Sequence, residues 1–267
     1  MTFARVPETE VIMEEADSVS AFFDAGRHGG PLAPIYQFGC RALSQLLPQN
    51  SVVLDIGCGP AQFLTRLLQY RPDLKGIGAD LSQRMLDTAG DLAEDCGVAS
   101  RIKFVKTDFA NVDQTVSDRV DGIVCMSALH HCPDFDSLLA TLSAIKRLSD
   151  RQSCAIWLFD LVRPEIGNLC ELIPRTHEVS AGELLPAPFK LDWVNSLKAG
   201  WTFDEFRTAL ASADLSLKST TANYSQLHWC GSPQTDKDAL QTNDLFAPVE
   251  ASKANELATA LGFESLQ

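Results

Sequence analysis

The chain is short of three things, and each shortage narrows what it can be. It has eight cysteines in 267 residues, yet Cys40, Cys58, Cys96, Cys125, Cys132, Cys154, Cys170 and Cys230 contain no C-x-x-C pair. Several of them sit inside apolar runs, where a reduced cysteine serves as a small core residue, so neither a disulfide framework nor a zinc knuckle is expected and the metal expectation is none. No apolar run reaches the roughly eighteen residues that span a bilayer, and the opening Met1-Thr2-Phe3-Ala4-Arg5 leads into Glu8 and Glu14 rather than a secretory core. A cytoplasmic protein without a membrane partner is the expectation. Basic residues are scarce: 22 Lys and Arg stand against 35 Asp and Glu, a net charge of -13. Such a surface repels phosphate backbones, which argues against a nucleic-acid partner and for small or cationic ligands.

What is present is the composition of a globular protein, and the length points to one large domain with an appendage. Residues 1–47 are expected as a helical cap, with helices near Glu8 to Ala25 and Ile35 to Leu47 separated by the breaker Gly26 to Pro31. A core over 48–233 then alternates short apolar runs with amphipathic ones. Strands are expected at Val52–Ile56, Leu74–Ala79, Ile102–Val105, Val120–Met126 and Ala155–Phe159, with helices between them at Ala61–Tyr70, Gln83–Cys96 and Phe135–Leu148. This is the rhythm of right-handed crossovers on a parallel sheet, so the fold class is α/β and doubly wound, with helices on both faces. After Asp160 the rhythm gives way to a stretch rich in proline and aromatics, read as an inserted lid over about 163–200. A helix from Thr202 to Ala213 and a closing hairpin near Leu215–Thr221 and Ser225–Cys230 complete the core. The remainder, 234–267, carries an expected helix between Val249 and Leu261, compatible with homo-oligomer assembly.

The strand Val52–Ile56 runs into Gly57-Cys58-Gly59-Pro60-Ala61, a turn whose glycines let backbone N–H groups approach a ligand at the carboxyl end of a central strand. At the end of the next strand stands Asp80, placed to accept both hydroxyls of a ribose. A dinucleotide fingerprint asks for Gly or Ala at the sixth position from Gly57, where this chain has Gln62. Asp55 adds negative charge beside the turn, which disfavours a pyrophosphate and favours a nucleoside carrying a positive group.

Taken in order, these residues resemble the class I methyltransferases that use S-adenosylmethionine. Asp55-Ile56-Gly57-Cys58-Gly59 looks like that family's first motif and Asp80 like its ribose-binding acid. Thr107-Asp108-Phe109 is similar to the segment that meets adenine, and Val120 to His131 to the fourth strand and its turn. The resemblance covers about residues 35–160 and implies a seven-stranded sheet whose last strand runs antiparallel. By position it implies that Gly57, Cys58 and Gly59 line the aminoacyl and ribose region, Asp55 faces the amino end and Asp80 clasps the ribose. Leu81 and Met85 would pack on adenine, Asp108 would accept its exocyclic amine, and Phe109 would supply a backbone donor and a wall. Met126 and Ser127 would lie beside the methionine arm, and Tyr36 of the cap would close over the cofactor. Ala61 departs from the pattern, since many members carry a third glycine there.

Methyl transfer from a sulfonium needs alignment and dryness, and needs a base only where the acceptor must lose a proton. His130 and His131, after the fourth strand, are the expected catalytic residues, because imidazole takes a proton near neutrality; the alternative is a structural pair that hydrogen-bonds the neighbouring loop. Weaker candidates are His177, Trp193 and Trp201 in or beside the lid, and Tyr224 and His228 in the hairpin; aromatics so placed more often form a loop's own small core. The expected function is methylation of a small molecule at oxygen or nitrogen. The alternatives are methylation of RNA or protein, weakened by the acidic charge and the lack of an Asn/Asp-Pro-Pro-aromatic element, and a catalytically idle binding subunit.

Overall fold

The computed structural model describes residues 3–8, 16–27, 29–182, 184–222 and 224–232. The expected C-terminal helix lies outside them. The first elements are helices α1 (Ala16–Ala25) and α2 (Ala33–Leu46). The core follows as β1 (Val52–Ile56), α3 (Gln62–Tyr70), β2 (Lys75–Asp80), α4 (Gln83–Asp95), β3 (Ile102–Lys106), α5 (Val112–Thr115), β4 (Gly122–Met126), α6 (Phe135–Gln152) and β5 (Ala155–Leu161). Helices α7 (Leu169–Ala181), α8 (Ala187–Ala199) and α9 (Phe203–Ser212) come next, and the hairpin β6 (Lys218–Ala222) and β7 (Ser225–Cys230) closes the sheet.

The seven strands lie in the order β3-β2-β1-β4-β5-β7-β6. The first five are mutually parallel, and β7 runs antiparallel to β5 with Trp157 opposite Trp229. The chain reverses at β1, which has β2 on one side and β4 on the other, so the carboxyl ends of β1 and β4 flank a crevice at the switch point of the topology.

The central strands are buried along nearly their whole length, as their continuous apolar text requires. Because successive side chains point to opposite faces, Val53, Val124, Trp157 and Phe159 meet α2, α3 and α4 through Phe38, Leu43, Phe63 and Leu86. Leu54, Ile56, Ile123 and Leu158 meet α6 and α9 through Leu142, Ile145, Phe206 and Leu210 on the other face. The expected caps form: Ser82 accepts from the Met85 N–H at the start of α4, and Thr202 with Glu205 makes a reciprocal capping box on α9.

Three expectations need correction. Glu8 is not helical; residues 3–8 form an irregular strap that crosses the molecule, with the Phe3 N–H donating to Glu165 and the Val6 N–H to Lys198. The strand β6 starts three residues later than the apolar run suggested, since Leu215 is taken up by the core beneath α9. The proline-rich lid is helical: Pro186 occupies the position just before α8 and Pro188 lies in its first turn, where a missing N–H costs nothing. Phe189 of α8 packs with Ala21 and Ala25 of α1 and lies tilted against Trp193, so cap and lid form one small cluster over the crevice.

Candidate active site

The glycine turn is pinned by backbone bonds before any side chain is considered. The N–H groups of Gly57 and Cys58 both donate to the Ala79 carbonyl, at 2.8 and 3.1 Å, tying the end of β1 to the end of β2. Gly57 sits at φ +69°, and a Cβ there would stand 2.6 Å from the Cβ of Ala128 and 3.1 Å from the ring of Phe109. No other residue fits. Ala61, which stands where the third glycine was missing, adopts the left-handed conformation at φ +53° and starts α3 from it.

Around this turn the structure gathers the residues expected to bind the cofactor, together with the two expected catalytic histidines. Tyr36, Asp55, Gly57, Cys58, Gly59, Asp80, Leu81, Met85, Asp108, Phe109, Met126, Ser127, His130 and His131 all line one cavity of about 1790 Å³. That exceeds the roughly 300–1,000 Å³ of a typical small-ligand site, which leaves room for a second molecule beside a nucleoside.

Asp80 accepts from the Gly59 N–H at 2.8 Å through Oδ2 and from the Ser82 N–H at 2.9 Å through Oδ1. Burial raises its carboxyl pKa, and those two N–H donors oppose the rise. Asp55 is 1% exposed and its Oδ1 has no hydrogen-bond partner. Burial, reinforced by the nearby Asp80 charge, pushes its pKa well above the usual carboxylate range. An orphaned buried carboxylate oxygen facing a cavity is costly unless a donor arrives with a ligand. Asp108 accepts from Asn111 through both oxygens, and Ser127 takes φ +54° while its N–H donates to the Phe159 carbonyl at 2.7 Å. Gln62, the residue that breaks the dinucleotide fingerprint, is buried and donates its side-chain amide to the Phe23 carbonyl at 2.6 Å, locking the cap onto the turn.

These features fit S-adenosylmethionine. Asp55 offers an acceptor to an ammonium, Asp80 offers a carboxylate to ribose hydroxyls, Leu81 and Met85 offer an apolar wall, and Gly57 leaves the backbone bare where the ligand must come close.

On the other side of the cavity His130 is 3% exposed, and its Nδ1 lies 2.7 Å from Asp160 Oδ1. The His130 N–H also donates to Asp160 Oδ2 at 2.9 Å, so a single carboxylate holds both ring and backbone. Burial alone would lower the His130 pKa, but the Asp160 charge and hydrogen bond, with Glu8 beyond, raise it. Glu8 of the strap stands 2.6 Å from His131 Nδ1 and 3.9 Å from His130 Nε2, and accepts from the Ser196 hydroxyl at 2.8 Å. Its own burial opposes ionisation, yet His131, His130 and Ser196 together hold the carboxyl down at about 2. Arg5 fixes the strap: its guanidinium donates to the carbonyls of His130, Cys132, Pro133 and Ala199 and lies 3.7 Å over the ring of Trp201.

Of the weaker candidates, His177, Trp193 and Tyr224 line the cavity, and His177 packs edge-on against Trp193 at 5.5 Å. Trp201 and His228 do not. Trp201 is buried with its Nε1 on the Leu129 carbonyl, and His228 stacks on Phe206 at 4.4 Å with its pKa lowered to about 4 by burial. Sequence reasoning missed Glu8, Arg5 and Asp160. Asp160 carried a usable signal, an acid ending an apolar strand as Asp55 and Asp80 do; Glu8 and Arg5 carried none.

Residues 53–150 match the family model described as a methyltransferase domain. Among curated proteins the chain is similar to a carboxy-S-adenosyl-L-methionine synthase of Campylobacter jejuni, 36% identical over 76 residues, which cover 28% of this chain and 32% of that protein. It is also similar to the tRNA 5-carboxymethoxyuridine methyltransferase of Escherichia coli, 31% identical over 107 residues and 40% of each chain. The chain thus spans about a third of the length of the curated relatives it matches. Among solved structures it shares its fold with the plantazolicin methyltransferase BamL in complex with a triazolic desmethylPZN analog and SAH (TM-score 0.58, 20% identity, 92% of this chain and 83% of that one). An O-methyltransferase family protein from Burkholderia thailandensis has the same fold (TM-score 0.56, 13% identity, 77% of this chain and 57% of that one). Motif order, sheet topology, the bare glycine turn and the family match agree over residues 53–150, which carry a methyltransferase domain of the S-adenosylmethionine-dependent class I fold.

Proposed function

We propose that this protein transfers a methyl group to an oxygen or nitrogen of a small, flat, largely apolar acceptor. The observation that carries the reading is the roofed cavity: the cofactor residues form its floor, and lid helices α7 and α8 with the strap cover the far side. Leu169, Ile173, His177, Trp193 and Tyr224 line that far side, a surface suited to a ring system.

S-adenosylmethionine, when bound, supplies a methyl carbon on a cationic sulfur. Transfer to an acceptor lone pair would leave the carbon–sulfur electron pair on sulfur, so the site would need no acid for the leaving group. The chain's own contribution is to bind, align and keep dry. Asp55 and Asp80 anchor the two ends of the nucleoside, Leu81, Met85 and Phe109 pack its base, and Tyr36 and the cap exclude water. His130, with Nδ1 engaged by Asp160, presents Nε2 on the acceptor side and there takes the proton of a hydroxyl acceptor.

One observation favours a second reading, methylation of RNA: the Escherichia coli relative is a tRNA methyltransferase. The net charge of -13 argues against it. Incubation of purified protein with cofactor and either a metabolite extract or bulk RNA, read by mass, separates the two. A gain of one methylene unit on a small molecule supports the proposal, and a gain confined to RNA overturns it.

A further inference from the structure

Glu8, from the start of the sequence, meets His130 and His131, from its middle, and the ligand-type atoms of the three all lie within 4.8 Å of one another at the cavity wall. We propose that they form a divalent transition-metal site, of the two-histidine, one-carboxylate kind, beside the acceptor.

Four observations carry this. The donor set is mixed nitrogen and oxygen, which suits Zn²⁺, Co²⁺ or Fe²⁺ rather than Mg²⁺ or Ca²⁺. The His130 ring is oriented by Asp160, whose Oδ1 lies 2.7 Å from Nδ1; this commits Nδ1 to carry the proton and leaves Nε2 with a lone pair toward Glu8. A carboxylate that holds the far nitrogen of a ligating imidazole is the usual outer support of a metal site. His131 Nδ1 is buried, lies 2.6 Å from a Glu8 oxygen and makes no aligned hydrogen bond to it. A cation between them would satisfy both. Finally, the two gaps from Glu8, 2.6 and 3.9 Å, bracket the separation of about 3 Å between ligands that each sit roughly 2.0–2.2 Å from one ion, and all three ligand atoms lie within 4.8 Å of one another. The cavity leaves the remaining coordination positions open to water or an acceptor oxygen, as a site that does chemistry requires.

The inference deepens the reading above, on which only its consequence depends. A cation here would lower the proton affinity of an acceptor hydroxyl by charge, where His130 otherwise does so through its lone pair, and would select acceptors with a coordinating oxygen. It also gives the strap a purpose, since Arg5 fixes Glu8 against the turn that bears the histidines.

Co²⁺ titration of the full-length protein, followed by optical absorption, reads the site without any acceptor. The expected result is one equivalent bound, with visible ligand-field bands and no thiolate charge-transfer band. Glu8→Gln and His131→Asn should weaken binding at least tenfold, and Asp160→Asn by about 10- to 100-fold. No binding at millimolar Co²⁺, a thiolate band, or unchanged affinity in Glu8→Gln would each overturn the site. The wild-type spectrum decides even where a variant fails to fold. Binding of S-adenosylhomocysteine is expected to persist in Glu8→Gln, so failure of the metal site and failure of the cofactor assignment have different signatures.

Discussion

The two walls of the cavity are built in different ways. The cofactor wall is made by consecutive strand ends, β1 through β4, and much of it is backbone: the turn at Gly57, its bonds to Ala79, and the Asp80 carboxylate bonded to two main-chain N–H groups. The acceptor wall is made by side chains from segments far apart in sequence. Glu8 meets His131 across more than a hundred residues, and Arg5 meets Ala199 across 194. The first wall therefore tolerates little change at any one residue, whereas the second can be refitted one side chain at a time.

The sharpest way to break that contrast is at Gly57. Gly57→Val puts a branched side chain where a Cβ alone comes within 2.6 Å of Ala128, at a φ that β-branched residues avoid. Binding of S-adenosylhomocysteine should be undetectable by calorimetry, with a loss of folding stability of at least about 2 kcal/mol in urea titration. Asp80→Ala removes a carboxylate that shapes the turn and faces the ligand; a fall in affinity of about 30- to 100-fold is expected, with a smaller change in melting temperature.

Asp55 separates binding from stability. Its pKa is raised in the folded protein, so it is neutral there at pH values where the unfolded chain would ionise it; folded-state stability from this group is full below the usual carboxylate pKa and declines as pH rises toward the raised value. Asp55→Asn should remove that penalty, holding or raising the melting temperature of the ligand-free protein above pH 5 while weakening cofactor binding about tenfold or more. An ammonium drawing Asp55 into its ionised form should also release a proton on binding, measurable by calorimetry in buffers of different ionisation enthalpy.

On the acceptor wall, Phe189→Ala should open the cluster that joins α8 to α1, at about 2–3 kcal/mol by the usual cost of a large-to-small change in a small cluster. Hydrogen exchange should rise in both helices while S-adenosylhomocysteine affinity moves less than threefold. The smallest effect is expected at Ala61→Gly, which relieves a left-handed alanine and should stabilise the protein by roughly 0.5 kcal/mol.

The same contrast decides what was legible in the sequence. The alternation of buried runs and amphipathic helices announced the sheet, and the acids and glycines that end its strands announced the cofactor wall, because each such residue stands next to the element that places it. Gln62 was legible as a departure from the dinucleotide fingerprint, although its bond to Phe23 was not readable. The lid was visible only as an interruption of rhythm. Its prolines suggested a loop, but Pro186 and Pro188 sit at a helix start, where proline is at home. Glu8 read as the opening of a helix, and nothing local distinguished a strap. Long-range side-chain meetings have no period, so the acceptor wall had no signature beyond the two adjacent histidines.

The most direct test of the account is a calorimetric titration of the purified protein with S-adenosylhomocysteine, run beside NADH and beside the Asp80→Ala variant. One site filled by S-adenosylhomocysteine, silence with NADH and a weakened isotherm in the variant are predicted. No heat at millimolar S-adenosylhomocysteine, or wild-type affinity without the Asp80 carboxylate, would contradict it.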